Sequence, residues 1–197
     1  MKHARFLAGL SLLALITNPA LAQDDPRKDA AEATKQVNDA LLKELPFDDT
    51  TDFTNAHKGF MAALPVEVIK GEGGGVIWDP GKYGFVKEGD PAPATVNPSL
   101  WRNSQLINLS GLFEVTDGIY QIRNLDLSNM TIIEGTEGVT VVDPLVSAET
   151  ARVGMDLYFA NRGQKPVKAV IYTHSHVDHY GGVRGVVSDE DVASGKT

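Results

Sequence analysis

The chain has 197 residues, with 18 lysines and arginines against 26 aspartates and glutamates, and no cysteine. A formal charge of −8 argues against nucleic acid or an anionic membrane surface as a partner. The missing thiols exclude a disulfide scaffold and thiolate chemistry, so any metal site must use imidazole and carboxylate ligands.

Lys2, His3 and Arg5 give a basic start and Phe6 to Ile16 an apolar run, which Thr17-Asn18-Pro19 breaks before Ala20-Leu21-Ala22. This is the pattern of a secretory signal peptide over residues 1–22, cleaved after Ala22. The run is shorter than the roughly 20 apolar residues of a membrane span, so no stable membrane anchor is expected after cleavage. Cleavage removes Lys2 and Arg5 and takes the net charge from −8 to −10, leaving enough chain for one domain. An exported chain without disulfides is expected in the periplasm, or secreted.

Residues 23–110 read as a helical and extended leader. Asp24-Asp25-Pro26 is a helix opening, and Ala30, Ala33, Val37, Leu41 and Leu45 recur at helical spacing until Pro46. A second short helix is expected within Asp52–Ala62, weakened by Gly59. His57 falls in it and reads as a packed or solvated side chain rather than a ligand. Gly71-Glu72-Gly73-Gly74-Gly75 reads as a turn, since neither a Gly-Lys-Ser/Thr ending nor a helix follows. Val76–Trp78 and Tyr83–Val86 are expected as short strands or extended arms, and Pro98 opens a short helix.

From Leu112 the pattern changes. Leu112–Val115 and Ile119–Ile122 alternate around Thr116-Asp117-Gly118, and Met130–Gly135 and Val139–Asp143 form a second pair around Thr136-Glu137-Gly138. Ser147 caps a helix expected to run to about Asn161, with Val153, Leu157 and Ala160 on one face and Gly163 closing it. Val167–Tyr172 reads as a buried strand. The order of two hairpins, a helix and a further strand is an α/β arrangement, with a loop leaving the strand's C-terminal end, where such sheets place their ligands.

That loop is Thr173-His174-Ser175-His176-Val177-Asp178-His179-Tyr180-Gly181-Gly182, and it holds three of the five histidines. His174 and His176, two apart, project to the same side and can grip one ion, while Asp178 and His179 follow after the chain has turned. Two pairs suit two ions about 3.5–4 Å apart. Zinc fits sulfur-free donors best, with manganese or iron as alternatives. Such a pair supports hydrolysis by bringing the pKa of a water toward neutrality and offsetting charge on an oxyanion. Asp178 is the candidate catalytic residue, as ligand and as orienter of that water. Gly181 and Gly182 are expected to let the loop turn tightly.

His174-Ser175-His176-Val177-Asp178-His179 resembles the H-x-H-x-D-H signature of the metallo-β-lactamase fold, and Ile132–Gly135 with Val141–Pro144 resembles that fold's first sheet. The resemblance implies an αβ/βα sandwich, of which residues 111–197 are the N-terminal part and only the first half is present. It places one Zn2+ on His174 and His176, a second on Asp178 and His179, and Asp143 behind the ligands as a supporting carboxylate. Asp143 reads equally as a strand-end turn residue before Pro144.

Phe53–Phe60, Pro98–Arg102, Gly111–Tyr120, Leu127–Gly135 and Tyr180–Gly185 resemble, more narrowly, the bacterial alkyl sulfatases. That likeness implies an exported zinc hydrolase acting on small-molecule alkyl sulfates such as dodecyl sulfate, and a homodimer for the full-length family. It also implies further acidic and histidine ligands, sulfate-binding basic residues and later domains for which nothing after His179 provides. The chain is therefore expected to be an N-terminal fragment, inactive by itself. The alternatives are another hydrolase of the fold (lactonase, thioesterase or lactam hydrolase) and a non-enzymatic exported metal-binding protein.

Overall fold

The computed structural model describes residues 28–64 and 68–197. The expected signal peptide and the helix opening expected at Asp24–Pro26 lie outside the described residues. The elements are α1 (Glu32–Glu44), α2 (Thr51–Ala56), β1 (Phe60–Ala62), β2 (Ile69–Lys70), β3 (Val76–Trp78) and α3 (Pro98–Ile107). There follow β4 (Gly111–Thr116), β5 (Ile119–Arg123), β6 (Met130–Glu134), β7 (Val139–Val142), α4 (Ala148–Arg162), β8 (Val167–Ile171) and α5 (Asp189–Ala193).

Six strands form one sheet in the order β1-β4-β5-β6-β7-β8. Every neighbouring pair is antiparallel except β7 and β8, which α4 joins as a parallel pair. Tyr120 lies opposite Ile132, and Ile132 opposite Val141, so these side chains line up across three strands. With Leu112, Ile122, Met130 and Val139 they form the buried face of the sheet, and Ala151, Met155, Leu157 and Tyr158 of α4 cover it. Each large apolar side chain removed from water here contributes roughly 1.5–3 kcal/mol. The face α4 buries differs from the expected one. Leu157 is in the core, but Val153 only borders it and Ala160 is exposed, because Ala151, Met155 and Tyr158 point at the sheet instead.

Both ends of α4 are fastened. Ser147 accepts from the backbone N–H of Thr150 at 3.1 Å and Gly163 closes the helix with φ +81°. At the far end Glu134 of β6 accepts from the Tyr158 hydroxyl (2.7 Å) and from Arg162 (3.0 and 3.1 Å) and pairs with Lys165 (2.8 Å). The donated hydrogen bonds from Arg162 outweigh the cost of burial, with Lys165 and Tyr158 adding to them, and lower the Glu134 carboxyl from 4.5 to about 2.

The leader is less regular than its spacing suggests. α1 buries none of its residues, and Val37 stands exposed. The second helix stops at Ala56, because Gly59 adopts φ +72° and turns Phe60–Ala62 into a strand beside β4. A Cβ on Gly59 would lie 1.9 Å from the Glu114 carbonyl, so this close approach requires glycine. The leader thus supplies the first strand of the sheet. The 71–75 glycines make the turn of the β2–β3 hairpin, closed by the Gly71 N–H to the Gly75 carbonyl at 3.0 Å. Tyr83–Val86 is not a strand: Pro80–Tyr83 is a 3-10 turn capped by Asp79. α3 starts as expected, with Asn97 accepting from Ser99 and Leu100 ahead of Pro98.

Candidate metal centre

β8 delivers the histidine loop, and its first residue outside the strand, beyond Tyr172, is anchored to β7. Thr173 donates its backbone N–H to Asp143 Oδ1 at 2.8 Å and its hydroxyl to Asp143 Oδ2 at 2.7 Å. His179 Nδ1 meets the same Oδ2 at 2.8 Å. Asp143 directly follows β7, where its N–H bonds the Ile171 carbonyl at 2.9 Å, and has a left-handed backbone, φ +55°. Aspartate tolerates that region better than most residues. Burial alone would raise the Asp143 carboxyl, but the Thr173 and His179 hydrogen bonds prevail and its pKa is lowered. Asp143 is therefore a buried acceptor that fastens the entry and the exit of the loop, rather than a turn residue alone.

The donors of the loop converge in pairs. His174 Nε2 and His176 Nδ1 are 3.1 Å apart, and His179 Nε2 and Asp178 Oδ2 are 3.3 Å apart. The His174 and His179 rings lie side by side, centroids 4.0 Å apart. Two ligands on one tetrahedral zinc, with bonds near 2.0–2.1 Å, stand about 3.3 Å from each other. Both pairs match that spacing, and with Nδ1 engaged by Asp143 the His179 Nε2 is the nitrogen left to bind. The donor set fits zinc pairwise. Among the described residues, no three or more such side chains are arranged to hold one ion. His57 is elsewhere, hydrogen-bonded at the surface to Glu88 at 2.7 Å.

The glycines after the loop act by closeness, not by conformational freedom. Gly182 has an ordinary φ of −84°, and its N–H donates to the Leu145 carbonyl at 2.9 Å. A Cβ on Gly181 would lie 2.3 Å from the Val146 carbonyl, and one on Gly182 1.9 Å from that of Pro144. The loop's exit is thus pressed onto the segment that follows Asp143. β8 itself is not buried as expected: among the described residues it pairs only with β7, and Ile171 and Tyr172 are about half exposed.

Two supporting residues carried no signal strong enough to assign them a role. The Ser128 hydroxyl donates to the Asp178 carbonyl at 2.5 Å. Asp126, almost fully buried, accepts from Ser128 N–H (3.2 Å), Val146 N–H (3.0 Å) and the Thr150 hydroxyl (2.6 Å). Burial pushes the Asp126 carboxyl up, and those hydrogen bonds offset only part of the effect. The Asp126-x-Ser128 spacing is that of an Asx turn, the one local hint available.

Residues 123–196 match the family model of the metallo-beta-lactamase superfamily. A solved structure, that of a stereoselective inverting sec-alkylsulfatase from Pseudomonas, superposes with a TM-score of 0.77 at 50% identity, over 86% of this chain and 26% of that one. The fold is that of the metallo-β-lactamase superfamily. A linear primary-alkylsulfatase from Pseudomonas is 71% identical over 86% of this chain and 25% of its own length. An (R)-specific secondary-alkylsulfatase, also from Pseudomonas, is 46% identical over 98% of this chain and 29% of its own. The relatives are alkylsulfatases, and this chain spans about a quarter of their length. In this metallo-β-lactamase fold the histidine loop follows the only parallel strand pair among the described residues.

Proposed function

We propose that this chain carries half of the metal centre of a zinc-dependent hydrolase of alkyl sulfate esters. His174 and His176 hold one ion, Asp178 and His179 the second, and Asp143 orients His179 through its Nδ1. Bound zinc supplies Lewis acidity, lowering the pKa of a water and offsetting charge on the sulfate oxygens. Asp178 holds its carboxylate beside His179, where it would orient that water. The reading is carried by the two donor pairs, 3.1 and 3.3 Å apart, at one strand end. The alkylsulfatase relatives support the substrate class.

Four donors are too few for two four-coordinate ions. The 197-residue chain by itself is therefore expected to bind zinc weakly and to lack sulfatase activity. The basic start, apolar run and Ala20-Leu21-Ala22 support export with cleavage after Ala22, which N-terminal sequencing of the mature protein would test. For the metal centre the test is zinc binding by equilibrium dialysis, with His176→Ala and His179→Ala removing one pair each. Each substitution is expected to lower the bound zinc. Unchanged binding in both variants would overturn the assignment, and robust release of sulfate from decyl sulfate by the 197-residue chain would overturn its inactivity.

A further inference from the structure

Asp126, the most buried carboxylate among the described residues, takes no part in the proposed chemistry. Its two oxygens collect donors from its own turn, from the β7–α4 connection and from α4. Oδ1 accepts from the Ser128 N–H at 3.2 Å, and Oδ2 accepts from the Val146 N–H at 3.0 Å and the Thr150 hydroxyl at 2.6 Å. Among the described residues no basic side chain pairs with it. Removing an unpaired carboxylate from water is unfavourable, and an apolar side chain would fill the space at lower free energy. An amide would not serve either, because asparagine carries one acceptor oxygen and would set its NH2 against one of the three donors. What the carboxylate holds in place accounts for its being there.

Two routes lead from Asp126 to the Asp178–His179 turn. The first runs through Ser128, whose N–H Asp126 binds and whose hydroxyl reaches the Asp178 carbonyl. The second runs through Val146, in the segment on which the exit of the loop rests. There the Leu145 carbonyl accepts from the Gly182 N–H at 2.9 Å, and the Val146 carbonyl leaves no room for a Cβ on Gly181. That segment is strained. Asp143 and Leu145 both have left-handed backbones, φ +55° and +66°, and leucine tolerates that region poorly. Such strain persists only where the surroundings over-determine the backbone, and the N–H immediately after Leu145 is the one Asp126 takes. We infer that Asp126 is a positioning residue for the second donor pair, acting on Asp178 through Ser128 and on the turn after His179 through residues 145–146. This assignment rests on the proposed metal centre and extends it to a residue outside the ligand loop.

Amide hydrogen exchange of the metal-free 197-residue protein, read by NMR, tests the placement without zinc. In Asp126→Asn the N–H groups of His179 and Gly182, which bond the His176 and Leu145 carbonyls, are expected to exchange about tenfold faster, the equivalent of one lost hydrogen bond. Thr150→Val is the control for stability alone: it removes the α4 donor and lowers the urea midpoint, but leaves the Ser128 and Val146 bonds, so the same two amides should change less than about threefold. Zinc affinity, by chelator competition, should fall about tenfold in Asp126→Asn. Combined with Ser128→Ala it should fall by less than the product of the two single losses, since both act on the Asp178 carbonyl. Unchanged exchange at His179 and Gly182, equal acceleration in Thr150→Val, or independent losses in the double variant would overturn the inference. Should Asp126→Asn not fold, Ser128→Ala cuts the first route alone, and failure of the His179 amide to exchange at least about threefold faster would overturn it as well. If the parent chain binds no zinc, the proposed metal centre falls, while the exchange comparison still decides the role of Asp126.

Discussion

Replacing Gly182 with alanine separates close packing from backbone freedom at the metal loop. Its φ of −84° suits any residue, so the obstacle is space alone. The new methyl would sit 1.9 Å from the Pro144 carbonyl oxygen, 2.7 Å from that of Ser147 and 2.8 Å from the Ala151 Cβ. Two of these are backbone atoms that cannot swing aside as a side chain would. Residues 181–182 must therefore back away from 144–147 by roughly 1 Å, stretching the Gly182 N–H bond to Leu145. Overpacking costs about 1–3 kcal/mol and a lost hydrogen bond about 1, so a loss of about 2–4 kcal/mol is expected. In urea, with a slope near 2 kcal/mol/M for a domain of this size, the midpoint falls by roughly 1–2 M. Gly163→Ala is the control. There φ is +81° and ψ 157°, a region essentially confined to glycine, and the site opens onto empty space, so backbone strain of about 1–3 kcal/mol applies without any clash. If Gly182→Ala stays within about 0.5 kcal/mol of the parent, the packing argument fails.

Three further outcomes follow from the same contacts. Asp143→Asn leaves the fold intact but presents an N–H where Thr173 or His179 now donates, and zinc affinity measured by chelator competition should fall about 10–100-fold. Ser128→Ala frees the Asp178 carbonyl, and cobalt substituted for zinc should then show a changed visible spectrum while urea stability drops by only about 1 kcal/mol. An unchanged spectrum would deny Ser128 a positioning role. Glu134 has a depressed carboxyl, so its contribution is present above pH 4.5 and is lost as pH falls toward about 2. The ceiling is about 3 kcal/mol and screening at the surface reduces it to about 1–2. Glu134→Gln should flatten the acid limb of the urea stability profile by that amount, with stability at pH 7 reduced correspondingly.

What the sequence made legible was what is local. The two hairpins, the Ser147 cap, the Gly163 stop and the histidine loop each depend on residues within a few positions of one another, and the structure has them where the spacing puts them. Gly59 misled because a glycine in a helical pattern looks like a weak helix residue, whereas its role depends on Glu114, 55 positions away, whose carbonyl leaves no room for a Cβ. α4 misled for a related reason. Val153 and Ala151 both have an apolar stripe to join, and only the sheet face, with Tyr120, Ile132 and Val141 aligned, decides in favour of Ala151, Met155 and Tyr158.

The same distinction explains why β8 reads as buried and is not. Val167-Lys168-Ala169-Val170-Ile171-Tyr172 has the composition of an interior parallel strand, but burial requires neighbours on both faces and both edges, and β7 supplies one edge only. Ile171 and Tyr172 consequently reach solvent next to the ligands they introduce. The metal loop is therefore held from one side. Asp143 fastens both ends of the loop, Gly181 and Gly182 press it against residues 144–147, and Ser128 holds the Asp178 carbonyl. All four constraints come from the β7 side of the loop or from the β5–β6 connection. Asp143 on His179 and Ser128 on Asp178 thus hold both members of the second donor pair, which stand 3.3 Å apart.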